Sequence, residues 1–288
     1  MPEISGVLTA MATPFADDGS LDSDSARRLA RHLVEHGSHG IVVAGSTGES
    51  ATLNDEEKLQ LLRAVLDEVG SEATVIAGTG SNDTRHTVEL TQAAADAGAH
   101  AALVVTPYYN KPNRAGLLAH YREVNRVGIP IVLYNIPSRV VVNIDPGGLA
   151  ELGELSNVVA VKQANDSELG PVDGIDVLAG NDNVFSRVLE FGGAGGILVA
   201  AHLVGDQMRQ MWDAAQDGDM ARVGEIDASL AEVYQALSVN NPIPLKAALE
   251  MLGLAPGNMR LPMVPADDEQ RATVRTALEH AGLLANAA

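Results

Sequence analysis

One lysine in this sequence stands where its amine could act as a nucleophile. Lys162 directly follows the apolar run 158–161, which places its amine near the end of an otherwise buried strand. Burial disfavours the charged form of an amine, and the neutral form is the one that attacks a carbonyl carbon. A strand-end lysine can also simply extend its charge to solvent. The other three lysines lie in polar or helical segments, which favours a catalytic role for this one.

Phenol and guanidinium groups follow other apolar runs in the same way. Tyr108, Tyr109 and Tyr134 are three of the five tyrosines, and each comes where a predicted strand ends. A phenol can relay protons in the acid-base chemistry that an imine requires, although ordinary aromatic packing is the alternative. Arg139 follows Tyr134 closely and has the fork-shaped cation that binds carboxylates. A surface ion pair would also explain Arg139 in so acidic a chain.

A glycine-flanked turn, residues 45–48, follows another of the apolar runs. It offers the hydroxyls of Ser46 and Thr47 together with several backbone N–H groups. Glycines let a backbone approach a ligand closely, and exposed N–H groups can bind a carboxylate. The same hydroxyls could instead cap the next helix. The residue pattern leaves both interpretations open.

A scaffold that brings strand ends together is needed to position these groups. Short runs rich in Val, Ile, Leu and Ala alternate with amphipathic stretches, and the runs are nearly continuously apolar, as parallel strands covered on both faces are. The predicted strands are residues 6–13, 40–45, 74–78, 101–106, 129–135, 158–163, 177–180 and 196–200. Helices are predicted between them, for example at 25–36, 55–69, 84–97 and 114–126, and after them at 220–237, 244–252 and 266–281.

This order of elements predicts the fold. Eight strand-helix units followed only by helices indicate a (β/α)8 TIM barrel at residues 1–216 and a C-terminal helical bundle at residues 217–288. A doubly wound open sheet is the alternative, but no Gly-rich first turn supports it. Functional groups of such barrels gather at the C-terminal ends of the strands. We therefore expect Lys162, the turn at Thr47 and the three tyrosines Tyr108, Tyr109 and Tyr134 to converge on one face of the barrel.

Composition restricts the class of protein. The formal charge is −19, and the 38 acidic residues are scattered along the chain. Such a field repels phosphate backbones and anionic lipid, so neither nucleic acid nor a membrane is expected as a partner. There are no cysteines, and the eight histidines lack metal-ligand spacing, so neither a metal nor another cofactor is predicted. Residues 1–4 carry no basic segment and no apolar run reaches membrane-spanning length, which predicts a soluble, cytoplasmic protein.

Together the motifs resemble the dihydrodipicolinate synthase and N-acetylneuraminate lyase superfamily, and within it the synthases that condense pyruvate with L-aspartate 4-semialdehyde. The resemblance covers nearly the whole chain and is carried by residues 13–15, 45–50, 241–246 and 260–262. It implies that Lys162 forms an imine with pyruvate. It also implies that Tyr134, Thr47 and Tyr109 form a proton relay. Because the residue matching Tyr109 reaches into a neighbouring subunit's site in that family, a homo-oligomer, usually a tetramer, is implied.

The same resemblance implies the substrate-binding residues. Arg139 matches the residue that binds the carboxylate of the semialdehyde, and the backbone at Ser46, Thr47 and Ile197 is implied to line the pyruvate pocket. Ser46 stands where threonine is usual, a change that keeps the hydroxyl. After Arg139 the synthases usually continue with Thr or Ser and a small residue, whereas residues 140–142 here are three valines. This departure bears on the choice of the second substrate.

Two other functions remain as alternatives. The first is a pyruvate-dependent lyase of the same superfamily that acts on a 2-keto sugar acid; Arg139 and the tyrosines at 108–109 favour the synthase. The second is a non-catalytic barrel that binds a 2-oxo acid as a sensor. The intact set of Lys162, Tyr134 and Thr47 argues against the sensor.

The resemblance also has an implication for inhibition by lysine. Relatives that lysine inhibits carry two histidines and a glutamate where this chain has Asp55, Lys58 and His86, although Tyr108 and Asn82 are kept. We therefore expect weak or absent feedback inhibition by lysine.

Overall fold

The predicted strands form a closed parallel barrel in the computed structural model, which describes residues 4–285. Each strand pairs with the next, and β8 pairs with β1. The strands are β1 (Gly6–Ala10), β2 (Gly40–Val43), β3 (Thr74–Gly78), β4 (Ala101–Val105), β5 (Ile131–Asn135), β6 (Val158–Gln163), β7 (Asp176–Ala179) and β8 (Gly195–Leu198). The TIM barrel predicted from the sequence is confirmed. Residues 1–3, part of the N-terminal segment noted above for having no basic residues, lie outside the described residues.

Helices surround the barrel and continue after it. They are α1 (Ser23–Glu35), α2 (Asp55–Val69), α3 (Thr84–Asp96), α4 (Arg114–Asn125), α5 (Pro137–Val140), α6 (Pro146–Gly153), α7 (Phe185–Glu190), α8 (Ala201–Gln216), α9 (Met220–Ser238), α10 (Ile243–Met251) and α11 (Asp268–His280). No helix among residues 4–285 has both the length and the apolar character that crossing a membrane requires.

Strand alternation decides which side chains face the barrel interior. Successive side chains of a strand point to opposite faces. Val132 and Ala160 belong to the cluster that fills the interior, whereas Leu133 and Val161 belong to a cluster beneath the outer helices. Tyr134, two residues after Val132, therefore shares the interior face, and so does the residue two positions after Ala160, which is the predicted nucleophile.

Two details of the predicted elements were wrong. Several strands end earlier than their apolar runs, because the loops beyond them are also buried; Met11, Ala12 and Phe15 continue the apolar run of β1 without belonging to it. The connection between β6 and β7 contains no α-helix, only the 3₁₀ turn Asp166–Glu168. That connection is short, and Gly170, Pro171 and Gly174 within it disfavour a helix.

Polar residues and glycines mark several of the helix ends. Asn54 and Glu57 form a capping box at the start of α2. Gly37 and Gly98 follow α1 and α3 with φ of +94°, a left-handed conformation that glycine adopts without steric cost. Gly70 also ends its helix but has φ of −65°, so it is not in the left-handed conformation; a Cβ atom there would nevertheless lie 2.6 Å from the carbonyl oxygen of Leu66.

The C-terminal helices share their core with the barrel. Val223, Ile226 and Leu230 of α9 pack in the same apolar cluster as Met208 and Met211 of α8. We call α9–α11 with their connecting segments the C-terminal extension. Because its first helix has no separate core, the extension is held directly over the barrel helices. The division at residue 216 remains a prediction about folding units.

Candidate active site

A cavity of about 630 Å³ lies at the C-terminal ends of the barrel strands. Most barrel enzymes bind their ligands at this face, because the loops that follow the strands converge there. The barrel contributes Ser46, Thr47, Tyr134, Arg139, Lys162 and Asp182 to its walls, and the C-terminal extension contributes Asp227, Tyr234, Gln235 and Asn241.

Lys162 and Tyr134 lie side by side at this cavity. They are register partners on the neighbouring strands β6 and β5. The Nζ atom of Lys162 is 4.4 Å from the centre of the Tyr134 ring, and the lysine is only 5% exposed. A buried amine thus opens onto a polar cavity beside a phenol, which is the arrangement that carbonyl attack with proton transfer requires.

Side-chain amides hold the two strand ends together just beyond these residues. Asn135 and Gln163, the next residues along β5 and β6, are buried, and Asn135 Nδ2 donates a hydrogen bond to Gln163 Oε1 at 3.1 Å. The same nitrogen lies 2.9 Å from Asn143 Oδ1 and 3.1 Å from the carbonyl oxygen of Ile144, so its two N–H groups are shared among three acceptors. Buried amides satisfied on several sides give a rigid local structure. This network fixes the spacing between Tyr134 and Lys162, which directly precede Asn135 and Gln163.

The turn 45–48 is packed against the barrel, with its hydroxyl groups at the cavity. Thr13 Oγ1 donates to the carbonyl of Gly48 at 2.6 Å, and a Cβ atom on Gly48 would lie only 3.0 Å from the carbonyl of Met11. Thr47 is buried and accepts a hydrogen bond from Asn241 Nδ2 at 2.9 Å. Ser46 lines the cavity beside it. The glycine here permits a close backbone approach, as the sequence indicated.

Arg139 extends along the cavity wall from the short helix α5. Its side chain is exposed, and Nη2 donates to the main-chain carbonyl of Asn241 at 3.1 Å. Within residues 4–285 no ion pair includes this guanidinium, so the surface ion pair considered above is absent from the single chain. The remaining N–H groups are therefore available to a ligand carboxylate. Val141, one of the three valines that follow, is largely exposed and has φ of +68°.

Tyr108 and Tyr109 lie away from the cavity of their own chain. Tyr109 is 89% exposed and has φ of +73°, and Tyr108 is also exposed. The three strand-end tyrosines therefore do not converge within one chain. In the described part of the chain, no hydrogen bond joins the side chains of Thr47, Tyr134 and Tyr109. The implied relay remains a prediction that requires a second subunit.

Ile197 lies deeper than the other predicted site residues. It is fully buried in β8, pairs with Leu8 of β1 and belongs to the interior cluster. At the end of β8 the cavity is lined by Val199. The proposed contact of the Ile197 backbone with pyruvate remains untested.

Two carboxyl groups, for which the sequence pattern predicted no role, form an acidic wall of the cavity. Asp182 follows β7 and accepts hydrogen bonds from the N–H groups of Val199 and Ala200, at 2.8 and 3.1 Å. Burial raises the pKa of Asp182, and the nearby charge of Lys162 opposes that effect. Asp227 of α9 accepts a hydrogen bond from Ser186 Oγ at 2.7 Å, and burial raises the pKa of this carboxyl as well.

A strand-end position could have indicated Asp182, but nothing local could have indicated the residues of the extension. Asp227, Tyr234 and Asn241 are far from the barrel loops in sequence and reach the cavity only through tertiary packing. Asn241 belongs to a motif that carried the family resemblance, yet no role followed from it. Within residues 4–285, no group of acidic or histidine side chains is arranged to hold a metal ion.

This closed barrel, with a buried strand-end lysine beside a tyrosine in an open cavity, has the architecture of a barrel enzyme whose site lies at the C-terminal ends of the strands. The sequence model of the Dihydrodipicolinate synthetase family matches residues 3–281. The chain belongs to this family, so the resemblance found in the sequence is confirmed.

Curated and solved relatives agree with this assignment. The 4-hydroxy-tetrahydrodipicolinate synthase of Desulforudis audaxviator is 44% identical over 96% of this chain and 98% of its own. The dihydrodipicolinate synthase of Acinetobacter baumannii, solved in complex with pyruvate, superposes with a TM-score of 0.94 and 35% identity, covering 98% of this chain and 100% of that chain. The enzyme of Cyanidioschyzon merolae, solved with lysine bound, gives a TM-score of 0.93 and 36% identity, with 99% and 100% covered.

Proposed function

We propose that this chain is a 4-hydroxy-tetrahydrodipicolinate synthase, which condenses pyruvate with L-aspartate 4-semialdehyde in lysine and diaminopimelate biosynthesis. The observation that carries the proposal is the buried amine of Lys162 beside Tyr134 in an open cavity. Family membership and relatives named as this synthase support it.

The reaction begins with imine formation. The neutral amine of Lys162 attacks the ketone carbon of pyruvate, and water leaves as the C=N bond forms. The imine draws electrons from the neighbouring methyl group, so that loss of one methyl proton gives an enamine. The enamine carbon then attacks the aldehyde of the second substrate. The amine of that substrate closes onto the former ketone carbon, which forms the ring and releases Lys162.

Proton transfer is assigned to three hydroxyl groups. Tyr134 lies beside the reacting amine, and Thr47 lines the same cavity. Tyr109 is exposed on its own chain and would complete the relay in a neighbouring subunit. We therefore propose a homo-oligomer as the active form, and the family resemblance implies a tetramer.

Two carboxylate sites follow from the cavity walls. The N–H groups of the turn at Ser46 and Thr47 would bind the carboxylate of pyruvate. Arg139, with N–H groups left over from its contact with Asn241, would bind the carboxylate of the semialdehyde. Both sites are built locally, because the overall negative charge of the chain does not attract anionic substrates.

The function is tested by offering the purified protein its alternative substrates. We expect pyruvate to be consumed rapidly only when aspartate semialdehyde is present, with a cyclic condensation product detected by mass spectrometry. Faster release of pyruvate from a 2-keto sugar acid would instead establish the sugar-acid lyase. Binding of pyruvate without turnover of any aldehyde would establish the sensor.

We further infer that lysine is a weak inhibitor of this chain or does not inhibit it. His86 Nε2 lies 2.7 Å from Asp55 Oδ2, and Lys58 Nζ lies 3.5 Å from Asp55 Oδ1. The acidic side chain at this position is thus already paired with two groups of the protein. A dose-response curve of activity against lysine measures the effect, and strong inhibition at low concentration would refute the inference.

A further inference from the structure

We propose that Asn241 is a positioning residue which orients the hydroxyl of Thr47, so that this hydroxyl donates its proton into the cavity. The C-terminal extension would then take part in proton transfer as well as covering the barrel. The inference rests on the function proposed above. It adds to the relay a residue that exchanges no proton with the substrate and acts only through Thr47.

The contact itself joins two distant parts of the chain. Asn241 lies in the link between α9 and α10, and its Nδ2 donates to Thr47 Oγ1 at 2.9 Å. Thr47 is buried in the turn that follows β2, and both residues line the cavity. An amide from the extension therefore reaches a hydroxyl that is assigned to the relay.

The direction of this hydrogen bond restricts the hydroxyl. A threonine hydroxyl has one proton to donate and two lone pairs that accept. The amide N–H of Asn241 occupies a lone pair of Thr47, so the proton of Thr47 is left for another acceptor. The acceptors that the proposed function supplies are the phenols of the relay, Tyr134 among them. Asn241 thus sets the direction in which the relay passes a proton.

Further contacts hold the backbone around Asn241 in place, whereas its side-chain Oδ1 is buried without a hydrogen-bond partner among residues 4–285. The main-chain carbonyl of Asn241 accepts a hydrogen bond from Arg139, which fixes the link at the cavity wall. Lys246, five residues later, forms a buried ion pair with Glu49, two residues after Thr47. Arg260 forms a bidentate ion pair with Glu57 of α2. The extension and the β2 turn are therefore clamped on both sides of the contact.

Two substitutions separate this role from a structural one. An aspartate at 241 has nearly the same shape but can only accept, so Asn241→Asp would draw the Thr47 proton towards itself and away from the relay. Asn241→Ala only removes the donor and leaves the Thr47 hydroxyl free to rotate. We expect proton transfer to be slowed by about tenfold or more in Asn241→Asp, and by a smaller factor in Asn241→Ala.

The measurement is the exchange of pyruvate methyl hydrogens for deuterium in D2O, followed by NMR without any aldehyde. Exchange requires the imine and the proton relay but not the second substrate. Asn240→Gly is the matched control, because Asn240 is the exposed neighbour of Asn241 and has φ of +55°, which glycine tolerates. In the complete reaction, the KM for the semialdehyde should stay unchanged in Asn241→Ala, since Arg139 contacts only the main chain.

A double variant tests whether Asn241 acts through Thr47, even if Asn241→Asp does not fold. If Asn241 acts through Thr47, then adding Asn241→Ala to Thr47→Val should slow exchange no further. Independent losses in the two variants would overturn the proposal, as would equal exchange rates in Asn241→Asp and the unmodified protein. Failure of the unmodified protein to form an imine at Lys162 would refute the proposed function instead, which keeps the two failures distinguishable.

Discussion

Lys162 lies where the apolar interior of the barrel meets the polar cavity. Its stem continues the interior face of β6 above Ala160, while its amine adjoins the phenol ring of Tyr134. The charge of Lys162 opposes the rise that burial causes in the pKa of Asp182, an acidic group in the cavity wall. The residue thus combines burial in the barrel interior with access to the cavity in which a substrate carbonyl would bind.

A residue-scale prediction concerns Arg139. Replacing it with methionine removes the guanidinium that would bind the semialdehyde carboxylate. The KM for the semialdehyde should rise by roughly ten- to a hundredfold, the range expected for a lost charge-assisted hydrogen bond. Imine formation with pyruvate should be unaffected. Steady-state kinetics with both substrates varied separates the change in KM for the semialdehyde from any effect on pyruvate.

The control for this variant is Arg85→Met. Arg85 is an exposed arginine on α3, away from the residues that line the cavity. Its kinetics should match those of the unmodified protein. An Arg139→Met enzyme with an unchanged KM for the semialdehyde would remove the proposed carboxylate site.

Individual site residues could be predicted from the sequence when they directly follow an apolar run. Lys162, Tyr134 and Thr47 were found in this way, and all three line the cavity. Asp227 and Asn241 could not be found from local pattern, because their place in the cavity depends on how α9 and the following link pack over the barrel.

At the element scale, the β2 turn and α10 are joined by a buried ion pair. Glu49 has a left-handed backbone, and its side chain and that of Lys246 are almost completely buried. Lys246 Nζ also donates to the carbonyl of Asn258 and lies 4.4 Å from the centre of the Phe15 ring. Burial lowers the pKa of Lys246, which the charge of Glu49 opposes. The sequence pattern predicted a helix for this lysine but indicated neither its burial nor its partner.

Removing one partner of this pair should destabilise the protein strongly. Glu49→Gln or Lys246→Met alone should lower the free energy of unfolding by about 3–5 kcal/mol, because a buried charge is left uncompensated. The double variant should lose less than the sum of the two. Denaturant unfolding of the four proteins gives the coupling energy directly.

The exposed pair Glu123 and Arg126 provides the comparison. Their side chains form a surface ion pair within three residues along the chain, and such pairs contribute at most about 1 kcal/mol. The losses of unfolding free energy at Glu49 and Lys246 could instead be additive and as small as those at the surface pair. That result would mean that the buried ion pair does not hold α10 to the β2 turn.

The positions of most elements could be predicted, but their ends could not. β3, β6 and α2 have the predicted bounds, since a change of hydrophobic pattern coincides with each end. β1 was predicted too long because hydrophobicity reports burial and cannot separate a buried strand from the buried loop that follows it. Whether a connection forms a helix also depends on length, as the link between β6 and β7 shows.

At the scale of the whole molecule, buried histidines make stability depend on pH. Burial lowers the pKa of His120 and of His202 to about 4. The unfolded chain, with an ordinary value near 6.5, therefore binds more protons than the folded chain between about pH 4 and pH 6.5. Stability is full above that window and falls as the pH decreases through it.

His120→Phe tests this dependence. The ring of His120 packs edge-on against Tyr121, and its Nε2 is buried without a hydrogen-bond partner among residues 4–285. A phenylalanine of similar shape cannot take up a proton. The decrease in unfolding free energy between pH 7 and pH 5 should therefore be smaller by about 2 kcal/mol in the variant. Parallel pH profiles of unfolding free energy for the two proteins would show that His120 does not cause the loss of stability at low pH.

Subunit assembly gives a second prediction at this scale. If Tyr109 completes the site of a neighbouring subunit, Lys162→Ala and Tyr109→Phe should each have little activity alone. Co-assembled, they should regain activity, because some sites then combine an intact Lys162 with an intact Tyr109 from the other chain. Sedimentation would report the oligomer. Absence of any regained activity in confirmed mixed oligomers would place Tyr109 outside the relay.

The central claim is that Lys162 forms an imine with pyruvate, and reductive trapping tests it most directly. The protein is incubated with pyruvate and borohydride, and its intact mass is compared with that of Lys162→Ala treated in the same way. We predict a pyruvate-derived mass increase that maps to Lys162 and is absent from the variant. An unmodified protein that acquires no adduct, or an adduct that persists in Lys162→Ala, would contradict the account.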